Sequence, residues 1–473
     1  MRARPAAVLL FAALLISGSA QAKKKRPAPA EPTPPLARLA GEALTSDVGW
    51  ERLVHLCDRI GHRLSGSPQL DQAIAWAQER MRDDGLTEVR AEPVEVPAWI
   101  RGSASLALVA PRAMSMDVLA LGGSIGTPEG GIEADVLVVD SLEDMASRDE
   151  ADVTGRIVVY DLPFTSYRGT VGIRTRGAAA AAKKGAVASL VRSVGPHSLQ
   201  TPHTGNQGYE DGVPPIPAAA ITIESAEMLR RLQERGTTPR VTLSLGCSMG
   251  PPAQSANVIG EVRGSEKPEE IVLVGCHLDS WDVGQGAQDD GAGCLAAMEA
   301  GRLIARLPEP PLRTVRVVLF TNEENGLAGG KTYAAEHADE THFAVLESDT
   351  GAGTPLGFRV DLRIPPKEPG GDAVRDEAAW PGTLERLAPL EDALAPLSAS
   401  ELTPGYAGAD ISPLVRAGAL GFGLSQDMSG YWPIHHTEAD TIDKIDPVVF
   451  RQNVAVFTTA AWVLANMSDP PRP

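Results

Sequence analysis

The sequence predicts an α/β protein in which a largely parallel or mixed sheet lies between layers of helices, with a second, strand-rich region inserted into it. Three observations carry this reading. From residue 257 onward, short apolar runs suited to buried strands alternate with helical stretches. Residues 271–276 form such a run and lead through an acidic, glycine-rich turn into a helical stretch ending near Leu307. Residues 102–246 depart from that rhythm and consist of short strands separated by turns.

The 473 residues exceed what one core usually serves, which implies two or three domains. A net charge of −18 argues against nucleic acid as a partner, because phosphate contact needs a basic face. Residues 1–22 carry arginines at positions 2 and 4, an apolar stretch over 6–16 and the sequence Ala20-Gln21-Ala22. That is the pattern of a secretory signal peptide cut after Ala22, so a periplasmic or secreted protein is expected. Its apolar stretch is too short to cross a bilayer, and the later run 454–464 is interrupted by threonines, so no membrane span is expected. Residues 23–35 are basic and then proline-rich, a composition that cannot bury a core and predicts disorder. Cys57, Cys247, Cys276 and Cys294 are too few for a disulfide scaffold; one or two bridges and simple core packing both remain open.

Residues 36–59 carry a helical pattern, followed by the loop Gly61-His-Arg-Leu-Ser-Gly-Ser67. Ser67 can cap the next helix, Pro68 fits its first turn, Leu70, Ile74, Ala77 and Met81 share one face, and Gly85 ends it. Residues 88–96 read as a strand that Pro93 places at an edge. Within 102–246, residues 134–139, 156–160 and 186–191 are the clearest strands and 170–184 an alanine-rich helix ending at Gly185. No histidine and acid cluster at ligand spacing occurs there, and His197 and His203, in a polar stretch, are expected at the surface. This region is expected to be an inserted accessory domain, leaving 36–101 and 247–473 to the main one. The main domain's strands are expected at 257–262, 271–276, 314–321, 343–349 and 419–425. Asp446 caps and Pro447 opens a final helix with a buried stripe of Phe450, Val454, Phe457 and Ala461.

Chemistry collects where these strands end. His277 and Asp279 lie two residues apart in extended chain, so the aspartate can reach the imidazole from the same face. Asp289 follows in a turn of small residues, where it or Asp290 can cap the next helix. Glu323 and Glu324 end another strand, Glu347 and Asp349 a third, and a further loop supplies His435 and His436. Any one of these is an ordinary solvated loop, but four at one sheet edge, where open α/β sheets bind ligands, point to a metal site. Two histidines and three carboxylates suit two zinc ions about 3.5–4 Å apart with one carboxylate bridging. Zinc lowers the pKa of bound water to about 7, and one of two adjacent glutamates can then take its proton while the other binds metal.

These segments resemble the M28 family of di-zinc exopeptidases, most of all its secreted carboxypeptidase Q group. The stretch His277-Leu-Asp-Ser-Trp-Asp-Val-Gly-Gln-Gly-Ala-Gln-Asp-Asp-Gly291 carries most of the likeness, with Gly61–Ser67, Glu323-Glu324, Glu347-Ser-Asp349 and His435-His-Thr-Glu-Ala-Asp-Thr441. The resemblance implies a three-layer helix/mixed-sheet/helix zinc-exopeptidase fold with a protease-associated (PA) domain inserted at residues 102–246. It also implies two Zn2+ per chain, one on His277, Asp289 and Asp349 and the other on Asp289, Glu324 and His436, with Asp289 bridging. Asp279 would orient His277, Glu323 would act as general base and then acid, and His435 would stand beside the substrate. Asp282 and Asp290 would be loop and capping residues, and the group is associated with homodimers and with cleavage of small peptides. The expectation is therefore an exported di-zinc exopeptidase that hydrolyses dipeptides or short peptides through a metal-bound hydroxide. A broad-specificity aminopeptidase is the alternative, and a non-catalytic binding relative is disfavoured because every ligand position is intact.

Overall fold

Alternation along the central strands sets the layers. In Lys267–His277, Val272, Val274 and Cys276 belong to one hydrophobic core while Ile271 and Leu273 belong to another on the opposite face. Arg313–Phe320 divides in the same way, with Val315, Val317 and Leu319 on one side and Val318 and Phe320 on the other. The first core is completed by the helices Pro35–Thr45, Pro68–Asp83, Ala292–Ala305 and Pro447–Asn466, the second by Ala328–Glu336 and Ser412–Arg416. The computed structural model describes residues 34–197, 199–366 and 371–468, so the expected signal peptide and most of the leader lie outside the described residues.

The sheet between these layers has eight strands in the order Thr87–Val96, Ala253–Val262, Arg313–Phe320, Lys267–His277, Thr341–Glu347, Gly421–Gln426, Pro355–Asp361, Glu401–Pro404. It is mixed: the four strands from Arg313–Phe320 to Gly421–Gln426 run parallel, and antiparallel pairs flank them. The carboxyl ends of all four parallel strands therefore open on one edge. Strand Thr87–Val96, with Pro93, lies at the sheet's margin as expected.

Between Val96 and Ala253 the chain leaves this sheet. Its strands from Ala104 to Leu245 build a second eight-stranded sheet with its own cores on two faces. Trp281, from the loop after Lys267–His277, belongs to one of those cores, and a Cβ at Gly122 would collide with its ring.

Several local expectations hold. The Ser67 hydroxyl accepts from Leu70 N–H at 3.2 Å, and the Asp446 carboxylate accepts from Val448 N–H at 2.7 Å with Pro447 in the first turn. Helix Pro447–Asn466 is long and apolar enough to cross a membrane, but most of it is buried in the first core. Others are corrected. The helical pattern over 36–59 is two helices, Pro35–Thr45 and Val48–His55, with a π turn at Leu56–Ile60. The break falls at Ser46, whose hydroxyl accepts from Val48 N–H at 3.3 Å in competition with the helical pattern. Pro35, assigned to a disordered leader, instead opens the first of these helices. The alanine-rich helix begins as the turn Tyr167–Thr170 and continues as Gly172–Ala182. Cys276 and Cys294 form a disulfide joining the strand that ends in His277 to the helix that follows Asp289, whereas Cys57 and Cys247 are free and buried.

Candidate metal centre

His277 is the last residue of its strand and is fully buried. Its Nδ1 donates to the main-chain carbonyl of Asp279 at 3.0 Å, which leaves Nε2 free to face Asp349 Oδ1 at 3.1 Å and Asp289 Oδ1 at 3.3 Å. The expected contact from the Asp279 carboxylate is thus made by its backbone; the carboxylate lies 3.9 Å from Nδ1. It accepts instead from the N–H groups of Glu323 at 3.1 Å and Glu324 at 3.4 Å, and from Ser65 Oγ at 3.2 Å. The carboxylate is drawn to the neighbouring strand end because two N–H groups and a hydroxyl donate to it there. Asn322, at φ 65°, starts the turn that presents the two glutamates.

Asp289 precedes helix Ala292–Ala305, and the N–H groups of Gln288 and Asp289 donate to the Asp440 carboxylate at 2.7 and 3.1 Å. Gly291 is the residue at the start of that helix, and Asp290 before it accepts from Gly293 N–H in the first turn at 3.1 Å. Arg63 is fully buried and donates to the carbonyls of Leu278, Gln285 and Gly286 at 2.7–2.9 Å, clamping both ends of the acidic turn. Asp282, expected as a loop residue, pairs with Arg101. His436 Nε2 lies 3.1 Å from Glu324 Oε2 and 3.2 Å from Asp289 Oδ2. Its Nδ1 donates to the Thr204 carbonyl at 3.3 Å, from the second sheet's side of the molecule.

The side chains named from sequence thus converge on Asp289. His277, Asp289 and Asp349 can each offer one ligand atom within 4.8 Å of the others, and so can Asp289, His435 and His436. Glu324 joins the second group through His436. His435 Nε2 stands 3.6 Å from Asp289, farther than His436, and its ring stacks on that of His436 at 3.6 Å between centroids.

The electrostatics are those of a cation site. Burial together with the carboxylates of Asp349, Glu324 and Asp289 holds Glu323 well above the usual carboxylate range, and burial raises Glu324 too, with Asp289 adding to it. Burial opposes protonation of His436, but Glu324 and Asp289 outweigh it and raise the imidazole to about 10. His277 is likewise held well above its ordinary value by Asp289 and Asp349 against the effect of burial. Glu324 Oε1 is buried without a hydrogen-bond partner, the condition of an oxygen atom left for a metal. Neutral imidazole nitrogens and carboxylate oxygens are zinc donors, so the residues present fit zinc.

A cavity of ≈ 950 Å³ opens on this cluster, lined by Asp289, Glu323, Glu324, Asp349, His435 and His436 among others. Its far wall comes from the second sheet's region: Tyr167 stacks on Trp432 at 5.0 Å and meets His435 edge-on at 5.2 Å. A wall from the region 102–246 is what the sequence led one to expect, but not the residues that form it, and Arg63, Asp440 and Thr204, whose roles depend on distant partners, were missed. Sequence reading also misplaced His203, which is buried rather than at the surface. Burial and the neighbouring His436 lower its imidazole to about 3. The Gly61–Ser67 motif was the one available signal for Arg63.

The model of peptidase family M28 matches residues 257–461. Carboxypeptidase Q of Xenopus laevis is 42% identical over 91% of this chain and 88% of its own length, and that of Homo sapiens is 40% identical over 89% and 86%. Among solved structures, a peptidase M28 precursor from Shewanella amazonensis matches at a TM-score of 0.85 and 38% identity, covering 93% of this chain and 97% of that one. A zinc aminopeptidase from Bacillus subtilis shares the fold at a TM-score of 0.63 and 20% identity, covering 92% and 97%.

Proposed function

Because the chain belongs to peptidase family M28, we propose that it is an exported di-zinc exopeptidase that cleaves dipeptides and other short peptides. The observation that carries this reading is the convergence of His277, Asp349, Glu324 and His436 on Asp289, with Glu323 beside them on the cavity wall. His277, Asp289 and Asp349 would hold one zinc, and Asp289, Glu324 and His436 the other. Bound zinc would supply a Lewis acid that polarises the scissile carbonyl and makes water more acidic.

The chain's own groups do the rest. Glu323 takes the proton of the attacking water as its oxygen bonds to the carbonyl carbon, and returns that proton to the amine nitrogen as the C–N bond breaks. Asp279 holds the Glu323 and Glu324 N–H groups, and the carbonyls of Asp279 and Thr204 keep the protons of His277 and His436 on Nδ1. His435 stands beside the substrate. The region 102–246, read as a PA-type insert, walls one side of the cavity and limits the length of peptide that enters.

The test is a panel of free, N-acetylated and C-amidated dipeptides and one decapeptide, assayed with zinc present. Free dipeptides should be cut well, and N-acetylated dipeptides and the decapeptide poorly. Stepwise release of residues from the amino end of the decapeptide would replace this reading with an aminopeptidase. No cleavage by fully metallated protein would replace it with a binding role.

A further inference from the structure

Arg174 lies on the cavity wall contributed by the region 102–246 and is only 5% exposed. Its Nη1 donates to the Thr204 carbonyl at 3.2 Å, the same acceptor that His436 Nδ1 uses, and its Nη2 donates to Tyr167 Oη at 2.7 Å. The guanidinium lies 5.5 Å from the Tyr167 ring centroid, and on another side it presses on Gly205, where a Cβ would collide with it. The group is thus held in one place by a carbonyl and a phenol, with the His436 ring beside it at 3.5 Å from Nη1 to Nδ1. Among the described residues no carboxylate lies within ion-pair reach of it, and its Nε is buried with no hydrogen-bond partner.

A buried guanidinium without an anion is costly unless something else supplies the charge. In a chain of net charge −18, the buried Arg302, Arg313 and Arg316 each pair with a glutamate, and the fully buried Arg63 places its Nε, Nη1 and Nη2 on backbone carbonyls away from the cavity, whereas Arg174 stands on the cavity wall with no anion and an unpartnered Nε. Arg359, also on the cavity wall, has a buried Nε without a partner too, but it is half-buried and is not held by hydrogen bonds on two sides. We infer that Arg174 recognises the free α-carboxylate of the substrate and so makes the enzyme selective for dipeptides with an unblocked carboxyl end. This rests on the peptidase reading above. The planar fork of an arginine suits a carboxylate, and Arg174 sits one imidazole away from the candidate metal ligands, which is the scale of a single residue beyond the scissile bond.

The experiment measures kcat/KM in zinc-loaded full-length enzyme for a free dipeptide, its C-amide and a C-amidated dipeptide with an acidic side chain. It compares wild type, Arg174→Gln, Arg174→Lys and Arg359→Gln. The expected result is a preference for the free acid over its amide on the order of 10²-fold in the wild type, carried mainly by KM. The preference should fall to nearly none in Arg174→Gln, persist in part in Arg174→Lys and survive in Arg359→Gln. Should Arg174→Gln fail to fold, Arg174→Lys carries the comparison, with a several-fold loss of preference expected and an unchanged preference overturning the inference. A lower kcat or lost zinc with the preference intact would reduce Arg174 to a support for His436 and overturn it. So would loss of preference in Arg359→Gln alone, or an Arg174-dependent preference for the acidic side chain. A wild type that cuts acid and amide equally overturns this inference and leaves the peptidase reading standing, whereas a wild type that cuts neither overturns both.

Discussion

The N–H of Thr204 donates to the carbonyl of His436 at 2.9 Å, and the Thr204 carbonyl accepts from the imidazole Nδ1 of the same residue at 3.3 Å. His436 has a left-handed backbone, φ 60°, and this two-point contact holds both that strained conformation and the tautomer that leaves Nε2 for a metal. A candidate ligand of the main sheet is therefore set by a segment of the second sheet's region. Removal of residues 102–246 would take away the support of His436 as well as a wall of the cavity.

His436→Ala should lose at least one of two bound zinc ions, whereas His435→Ala should keep both. His436 touches both Asp289 and Glu324, while His435 approaches only Asp289 and at a longer distance. Metal analysis of the purified variants decides the assignment, and the reverse pattern would exchange the two roles.

Glu323→Gln should bind zinc normally and lower kcat by a factor on the order of 10²–10⁴, the usual contribution of a positioned general base. Glutamine keeps the shape and cannot accept the proton. Near-normal turnover at full zinc content would remove Glu323 from the mechanism.

Asp279→Asn should lower kcat by about 10–100-fold through the Glu323–Glu324 turn. Its amide offers one acceptor oxygen where the carboxylate offers two to the N–H groups of Glu323 and Glu324. Zinc on His277 and Asp349 should be retained, since the Asp279 backbone carbonyl still holds the His277 tautomer. Zinc titration separates this from a loss at His277.

Thiol counting checks the cysteines. Native protein should react with iodoacetamide at no cysteine, because Cys57 and Cys247 are buried and burial raises their thiols to about 12 and about 11. Denatured, unreduced protein should show two reactive thiols, with Cys276 and Cys294 appearing only after reduction. Labelling of four thiols without reductant would show that the pair is not bridged.

Burial, with Arg316 adding to it, lowers His342 to about 4 from the ordinary histidine value near 6.5. Between those two values the unfolded chain binds the proton and the folded one does not. This contribution to stability is therefore complete above about pH 6.5 and lost as pH falls towards 4. His342→Gln should show a smaller drop in urea midpoint from pH 7.5 to pH 5 than the wild type, measured side by side in the same buffers. An equal drop would show that His342 does not titrate in that window.

Periodicity and local chemistry made much of this protein legible in its sequence. The alternation of Val272 and Val274 with Ile271 and Leu273 implies a strand covered on both faces, and Ser67-Pro68 and Asp446-Pro447 mark helix starts by rules that act within one turn. The candidate ligands were legible because each lies just beyond a strand, and a parallel arrangement brings such ends to one edge whatever the order of the strands. Contacts across long sequence separations were left to the tertiary structure. Arg63 reaches carbonyls more than 200 residues away, Thr204 and Arg174 reach His436 from another sheet, and His203 is buried by an interface that composition does not reveal. Asp279 shows the same limit at close range. Spacing put it beside His277, and its carboxylate does lie 3.9 Å from Nδ1, but the hydrogen bond to the imidazole falls to its carbonyl while the carboxylate takes the N–H groups of the neighbouring strand's glutamates, donors that only the tertiary structure brings to it.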